Sequence, residues 1–133
     1  MALIIDTDVI IRAERGLFDL SAWLETQIDE DPQIAAITVA ELRHGVERAT
    51  HLHKRRREDY LQMIFAALPI IPYTETTALE HARIWADLES SGKMIGFYDL
   101  IVAATALEHG SAVVTFNRRH FTQVRGLKVI EPA

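Results

Sequence analysis

The first eight residues constrain this chain most. Ala2 to Ile5 is an unbroken apolar run that stops at Asp6-Thr7-Asp8, and a second apolar run, Val9-Ile10-Ile11, follows at once. A short apolar run without alternation reads as a strand buried on both faces, as in a parallel sheet. Acids at its carboxyl end sit where open α/β sheets place their ligand crevice. Two further acids, Glu41 and Asp99, fall near the starts of predicted helices. The expectation is that these acids meet and hold a divalent metal ion.

The remaining pattern alternates short apolar runs with helical periodicity. Val9 to Glu14 reads as a short helix stopped by Gly16, and Leu17 to Asp29 as a helix with Leu20, Trp23, Leu24 and Ile28 on its apolar face. Pro32 closes that pattern, and Ile34 to Ile37 is a second strand. Thr38 is expected to open a helix running to about Thr50, its core face made by Val39, Leu42, Val46 and Ala49. Glu41, Gly45 and Arg48 share another side of it, because positions four and seven apart stack. A helix over His53–Leu68 carries Tyr60, Leu61, Ile64, Phe65 and Leu68 inward, and Ile70-Ile71 is a brief strand between two prolines. In a helix over Thr74–Ser90, the spacing turns Leu79, Ala82, Trp85, Ala86 and Leu88 inward. Phe97–His109 is apolar nearly all round, which marks a central helix stopped by Gly110. Ala112–Val114 and Leu127–Ile130 supply the last strands. The fold class is α/β with a mostly parallel sheet, in one domain spanning residues 1–133.

Composition removes several alternatives. There is no cysteine, so disulfides and thiolate metal sites are excluded. No run approaches the ~18 apolar residues of a membrane span, and Asp6 interrupts the first apolar stretch too early for a signal peptide. A soluble, cytoplasmic protein is expected. A net charge of −5 argues against general polyanion binding, yet Lys54-Arg55-Arg56-Arg57 and Arg118-Arg119 are local basic blocks. The six histidines form no zinc pattern and read as surface residues. No GxGxxG, P-loop or GxSxG is present, which leaves carboxylates, whose hard oxygens suit Mg²⁺ or Mn²⁺.

Each acid also has a plain structural reading. Asp6, Thr7 and Asp8 are all good helix caps, with Asp8 capping while Asp6 faces the crevice as the division that uses both. Thr38-Val39-Ala40-Glu41 matches a capping box, in which the glutamate reaches back to the threonine N–H. Against it stands Gly45, an interior helix glycine costing about 1 kcal/mol, which leaves the surface beside Glu41 clear. Asp99 opens the most apolar helix, where an unpartnered carboxylate is costly to bury. Asn117 caps a short helix or, with Thr115, lines the same crevice.

These pieces together resemble a PIN-domain nuclease, specifically the VapC-type toxins of toxin–antitoxin pairs. The resemblance rests on Ile4-Ile5-Asp6-Thr7-Asp8-Val9-Ile10, Thr38-Val39-Ala40-Glu41-Leu42-Arg43-His44-Gly45, Ile95-Gly96-Phe97-Tyr98-Asp99-Leu100-Ile101-Val102-Ala103-Ala104 and Thr115-Phe116-Asn117-Arg118-Arg119-His120-Phe121, in that order over almost the whole chain. It implies a five-stranded parallel sheet flanked by helices, a homodimer, and Mg²⁺- or Mn²⁺-dependent cleavage of RNA, with tRNA or rRNA as the expected target. It also implies a cognate VapB-type antitoxin that covers the acidic crevice. The family's acidic cluster falls on Asp6, Glu41 and Asp99 as metal ligands, with Asn117 at a fourth position where many members have aspartate. Asp8 stands where the family more often has asparagine or serine.

On that reading Asp6 and Asp99 bind metal directly and Glu41 binds it directly or through water. Thr115 and Asn117 orient the phosphate or a metal-bound water, and Arg43, Arg48, Arg118 and Arg119 contact phosphates. Two rivals remain at this level. Asp-x-Asp after a first strand also opens the HAD phosphatase pattern, although a later strand ending in paired aspartates is missing. A catalytically silent interaction module would dock a partner through the helix Tyr60–Leu68 or Trp85.

Overall fold

The computed structural model describes residues 1–133, and every strand of its one sheet is parallel. Strands β1 (Ala2–Ile5), β2 (Asp31–Ala35), β3 (Ile70–Ile71), β4 (Ala112–Val114) and β5 (Val129–Ile130) lie in the order β3-β2-β1-β4-β5. The expected five-stranded parallel sheet is present. Helices α1 (Thr7–Glu14), α2 (Leu20–Glu25), α3 (Ala36–Arg48) and α4 (His51–Ala67) connect its first three strands. Helices α5 (Glu75–Ser90) and α6 (Phe97–Glu108) lead into β4, and α7 (Arg118–Phe121) lies between β4 and β5.

Alternation along β1 explains why its sequence shows none. Leu3 and Ile5 pack with Val9, Ile10, Trp23, Leu42, Val46, Leu61 and Ile64 on one side of the sheet. Ile4, between them, packs with Ile84, Leu88, Leu100, Val102 and Phe121 on the other. Both faces are covered, so both must be apolar. Each such Leu or Ile contributes about 1.5–3 kcal/mol by leaving water. Helix α6 lies inside the second layer with Leu100 and Val102 to Ala104 fully buried, as its all-round apolar character requires. It ends at Gly110, whose φ of 64° lets Ser111 N–H turn back to the Ala106 carbonyl.

Several sequence expectations are corrected. The helix expected over Leu17–Asp29 is only Leu20–Glu25, capped by Asp19, and Ile28 is 83% exposed in the turns beyond. Pro32 lies within β2 rather than before it. Pairing with β3 begins only at Ile34, so the proline's missing N–H is lost on an open edge. Ile37 belongs to α3, not to the strand. The inward face of α5 is rotated from the expected one. Leu88 is buried as expected, but it is joined there by Thr77 and Ile84, whereas Leu79 (67%) and Trp85 (40%) are exposed. Leu61 and Ile64 of α4, with Leu68 just beyond its end, are core residues, which removes that apolar face as a free docking surface.

Candidate active site

Strand order fixes where a ligand fits. The chain passes from β1 outward to β2 and β3, then returns across the sheet to β4 on the other side of β1. The carboxyl ends of β1 and β4 therefore flank the switch point, where the outgoing connections diverge and open a crevice. Ile5 is in register with Val114, which puts Asp6 beside Thr115. Asp6 N–H donates to the Val114 carbonyl at 2.9 Å, and Thr115 Oγ1 donates to Asp6 Oδ2 at 2.9 Å.

Asp6 is 5% exposed and is itself the N-cap of α1, accepting from Thr7 N–H at 2.9 Å through Oδ1. The expected division of labour is thus corrected. Asp6 both caps and faces the crevice, while Asp8, in the first turn, accepts from Phe116 N–H at 3.2 Å. The Arg12 guanidinium stacks over the Phe116 ring at 4.4 Å and supplies a positive charge beside Asp8.

Glu41 does not close a capping box. Helix α3 starts at Ala36, two residues earlier than expected, so Thr38 is already inside its first turn. Glu41 Oε1 instead accepts from Thr7 Oγ1 at 2.7 Å, and Thr38 Oγ1 lies 3.1 Å from the same hydroxyl. This ties the second turn of α3 to the start of α1. Asp99, in the first turn of α6, has its Oδ2 2.9 Å from His120 Nδ1, which lies 2.9 Å from Asn117 Nδ2 in turn. A proton on Nδ1 makes the first contact a charge-assisted bond. Asn117 is the N-cap residue of α7 by position, but its side chain makes no capping bond.

Asp6, Glu41, Asp99, Thr115 and Asn117 therefore share one crevice. His120 is the member that sequence reasoning placed on the surface. Its position three residues after Asn117 was the available signal, since that spacing puts both on one face of a helix. Arg48 lies beside Glu41 in an adjoining cleft. Arg43 does not face the crevice as a free cation, because it pairs with Glu47 at 3.2 Å and Glu58 at 3.8 Å. Arg118 and Arg119 are exposed on α7, directly after Asn117.

The electrostatics are one-sided. Burial pushes the Asp6 carboxyl up to about 8, and the charges of Asp8 and Asp99 add to this against the Thr115 and Thr7 hydrogen bonds. Burial raises Asp8 as well, opposed by its bonds to Asp6, Phe116 and Thr115 and by the Arg12 charge. Glu41 is raised by burial, with Asp99 and Asp8 adding to it. Like charges held together in a poorly hydrated crevice keep a proton or take up a cation. The donor set is all hard oxygen, which fits Mg²⁺ or Mn²⁺. No three acid or histidine side chains enclose one ion-sized point. Mg²⁺ does not demand that, since it is commonly held by one or two carboxylates with waters and phosphate oxygens completing its shell.

The arrangement defines a class, an α/β domain with an acid-lined crevice at its switch point, and comparison with known proteins narrows it. Residues 3–127 match the family model of the PIN domain. Ribonuclease VapC1 of Rickettsia felis is 33% identical over 131 residues, covering 98% of this chain and 96% of that protein. The crystal structure of FitAcB from Neisseria gonorrhoeae superposes with a TM-score of 0.81 at 34% identity, covering 99% of this chain and 98% of that one. VapBC2 from Rickettsia felis, bound to a DNA fragment from its promoter, superposes with a TM-score of 0.90 over the full length of both chains. At 23% identity that likeness speaks for the fold alone. This chain belongs to the PIN domain family and, within it, to the VapC ribonucleases.

Proposed function

We propose that this protein is the toxin of a toxin–antitoxin pair, an endoribonuclease that hydrolyses RNA phosphodiester bonds with a bound divalent ion and is silenced by a cognate VapB-type antitoxin. The observation that carries it is the convergence of Asp6, Asp8, Glu41 and Asp99 at the switch point, with Asp6 buried and proton-retaining. Two supports are the identity with a named VapC ribonuclease along nearly the whole chain and the likeness to the FitAcB structure.

Asp6 and Asp99 would hold the ion, with Glu41 binding it directly or through a water. The ion would supply a hydroxide-like water at neutral pH and would stabilise charge developing on the phosphate oxygens. The chain's own residues prepare that site. Thr115 fixes the Asp6 carboxylate through Oγ1, and Thr7 fixes Glu41. His120 Nδ1 lies 2.9 Å from Asp99 Oδ2, in place to orient that carboxylate. Asn117 adds no charge at the fourth position, so one ion rather than two suits this donor set. The exposed rings of Trp85 and Phe97, 6.2 Å apart, supply apolar surface for the homodimer that the resemblance implies.

Asp99→Asn is the direct test. Cleavage of RNA should vanish, as it should on adding EDTA to the parent, while circular dichroism stays unchanged. Undiminished cleavage, or loss of the fold, would remove Asp99 from this role. Sequencing RNA ends after pulsed expression identifies the target, with new ends in a tRNA or rRNA expected. The absence of any new RNA ends would count against the nuclease. No helix is long and apolar enough to cross a membrane.

A further inference from the structure

The basic block at the start of α4 divides into two faces. Lys54 pairs with Glu47 of α3, and Glu58 holds Arg43, so one face is neutralised across the α3–α4 contact. His53, Arg56 and Arg57 are three and four residues apart and form another face. His53 and Arg57 of that face close a cleft of about 440 Å³ whose opposite wall is Glu41, Gly45 and Arg48 of α3, with Arg15 at the end of α1. A second hollow, walled by Arg15, Arg56 and Arg57, continues it outward.

None of Arg15, Arg48, Arg56 and Arg57 has a carboxylate within 4.0 Å, although Glu14 and Asp59 lie in the same walls. Arg57 donates only to the Gly45 carbonyl, at 3.3 Å. In a chain of net charge −5, four guanidinium groups without carboxylate partners along these two adjoining hollows are a local reversal of sign.

We propose that this cleft is the phosphate track of the RNA substrate. It leads the backbone flanking the scissile bond along α3 and α4 to Glu41, with Arg15, Arg48, Arg56 and Arg57 as the phosphate contacts. The track rests on the ribonuclease reading above. Two features favour RNA over an acidic protein segment. Glu41 is both the inner wall of the cleft and part of the acid crevice, so a chain lying in one enters the other. The guanidinium groups are spread along two connected hollows, as a repeating phosphate requires, rather than gathered around one point.

The test measures binding of a fluorescein-labelled single-stranded RNA to the full chain carrying Asp99→Asn, as a function of salt. Each phosphate contact contributes about 0.7 to the slope of log affinity against log salt for a single strand. Adding Arg48→Gln with Arg57→Gln should lower that slope by about 1.4, and Arg48→Lys with Arg57→Lys should restore it. Arg83→Gln, on a residue paired with Glu80 of α5, should leave it unchanged. If the double glutamine variant does not fold, each single variant should lower the slope by about 0.7. RNA binding that keeps the parent slope in the glutamine variants overturns the track alone, most clearly if affinity for an oligoglutamate peptide falls instead. Absence of RNA binding by the unaltered chain overturns the ribonuclease reading and the track with it.

Discussion

Two adjoining regions of this protein meet at Glu41 and differ in almost every physical respect. The acid crevice is buried and crowded with like charge, and hydrogen bonds from Thr7, Thr115 and the Phe116 N–H hold it in place. The arginine cleft is open to water and its guanidinium groups lack carboxylate partners. The first is a strained arrangement whose components destabilise the metal-free fold, because desolvated charge is expensive. The second costs little, because exposed cations remain hydrated. Substitutions that remove a buried carboxylate from the crevice should therefore move activity and metal-free stability in opposite directions, whereas those in the cleft should move RNA binding alone.

The largest effect is expected for Asp6→Asn. RNA cleavage should fall on the order of a thousandfold, as for removal of a preorganised charge-stabilising group. Metal-free stability at pH 8 should rise at the same time. The reason lies in proton linkage. The ordinary carboxyl value is 3.8 and the folded value is about 8, so between them the folded protein keeps a proton that the unfolded chain has released. Stability of the metal-free parent should then fall as pH rises from about 4 to 8, and Asp6→Asn should flatten the profile. Thermal melts in EDTA across that range measure both. An unchanged profile would show that Asp6 is not the strained group.

Next in size is Thr115→Val, which removes the hydroxyl that fixes Asp6 Oδ2 and accepts from the Asn117 N–H at 2.9 Å. A buried unsatisfied group costs about 1–3 kcal/mol, and loss of a residue that orients a metal ligand costs about 10–100-fold in activity. Urea denaturation and turnover read the two effects. The smallest effect is expected for Arg43→Gln. This residue sits in an exposed ion pair worth about 0–1 kcal/mol, so both stability and the salt dependence of RNA binding should barely change. A slope change equal to that of Arg48→Gln would erase the distinction between paired and unpaired arginines.

The sheet was legible because β1 and β4 are apolar without interruption and α6 is apolar on nearly every side, and such segments have nowhere to go but between layers. The crevice was legible through Asp6 and Asp99, acids placed at the ends of those same segments. Helix phase was less legible. On α5, Leu79 and Trp85 fit an apolar stripe with Leu88 as well as Ile84 does, and only tertiary packing chooses between them. Thr38 illustrates a second difficulty. A threonine three residues before a glutamate has the composition of a cap, yet both side chains turn toward Thr7 of another helix. The pairing of Arg43 and the exposure of Arg48 depend on where α4 crosses α3, which no local spacing encodes.

The claim that the crowded acids exist to hold a divalent ion is tested most directly by titrating Mn²⁺ into metal-free protein at neutral pH, with heats measured in buffers of different ionisation enthalpy. Since Asp6 titrates near 8, most of it is protonated there, and uptake should be saturable and should expel close to one proton per site. Asp6→Asn should abolish both the uptake and the proton. No saturable uptake by the parent, or equal uptake by the variant, would contradict the account.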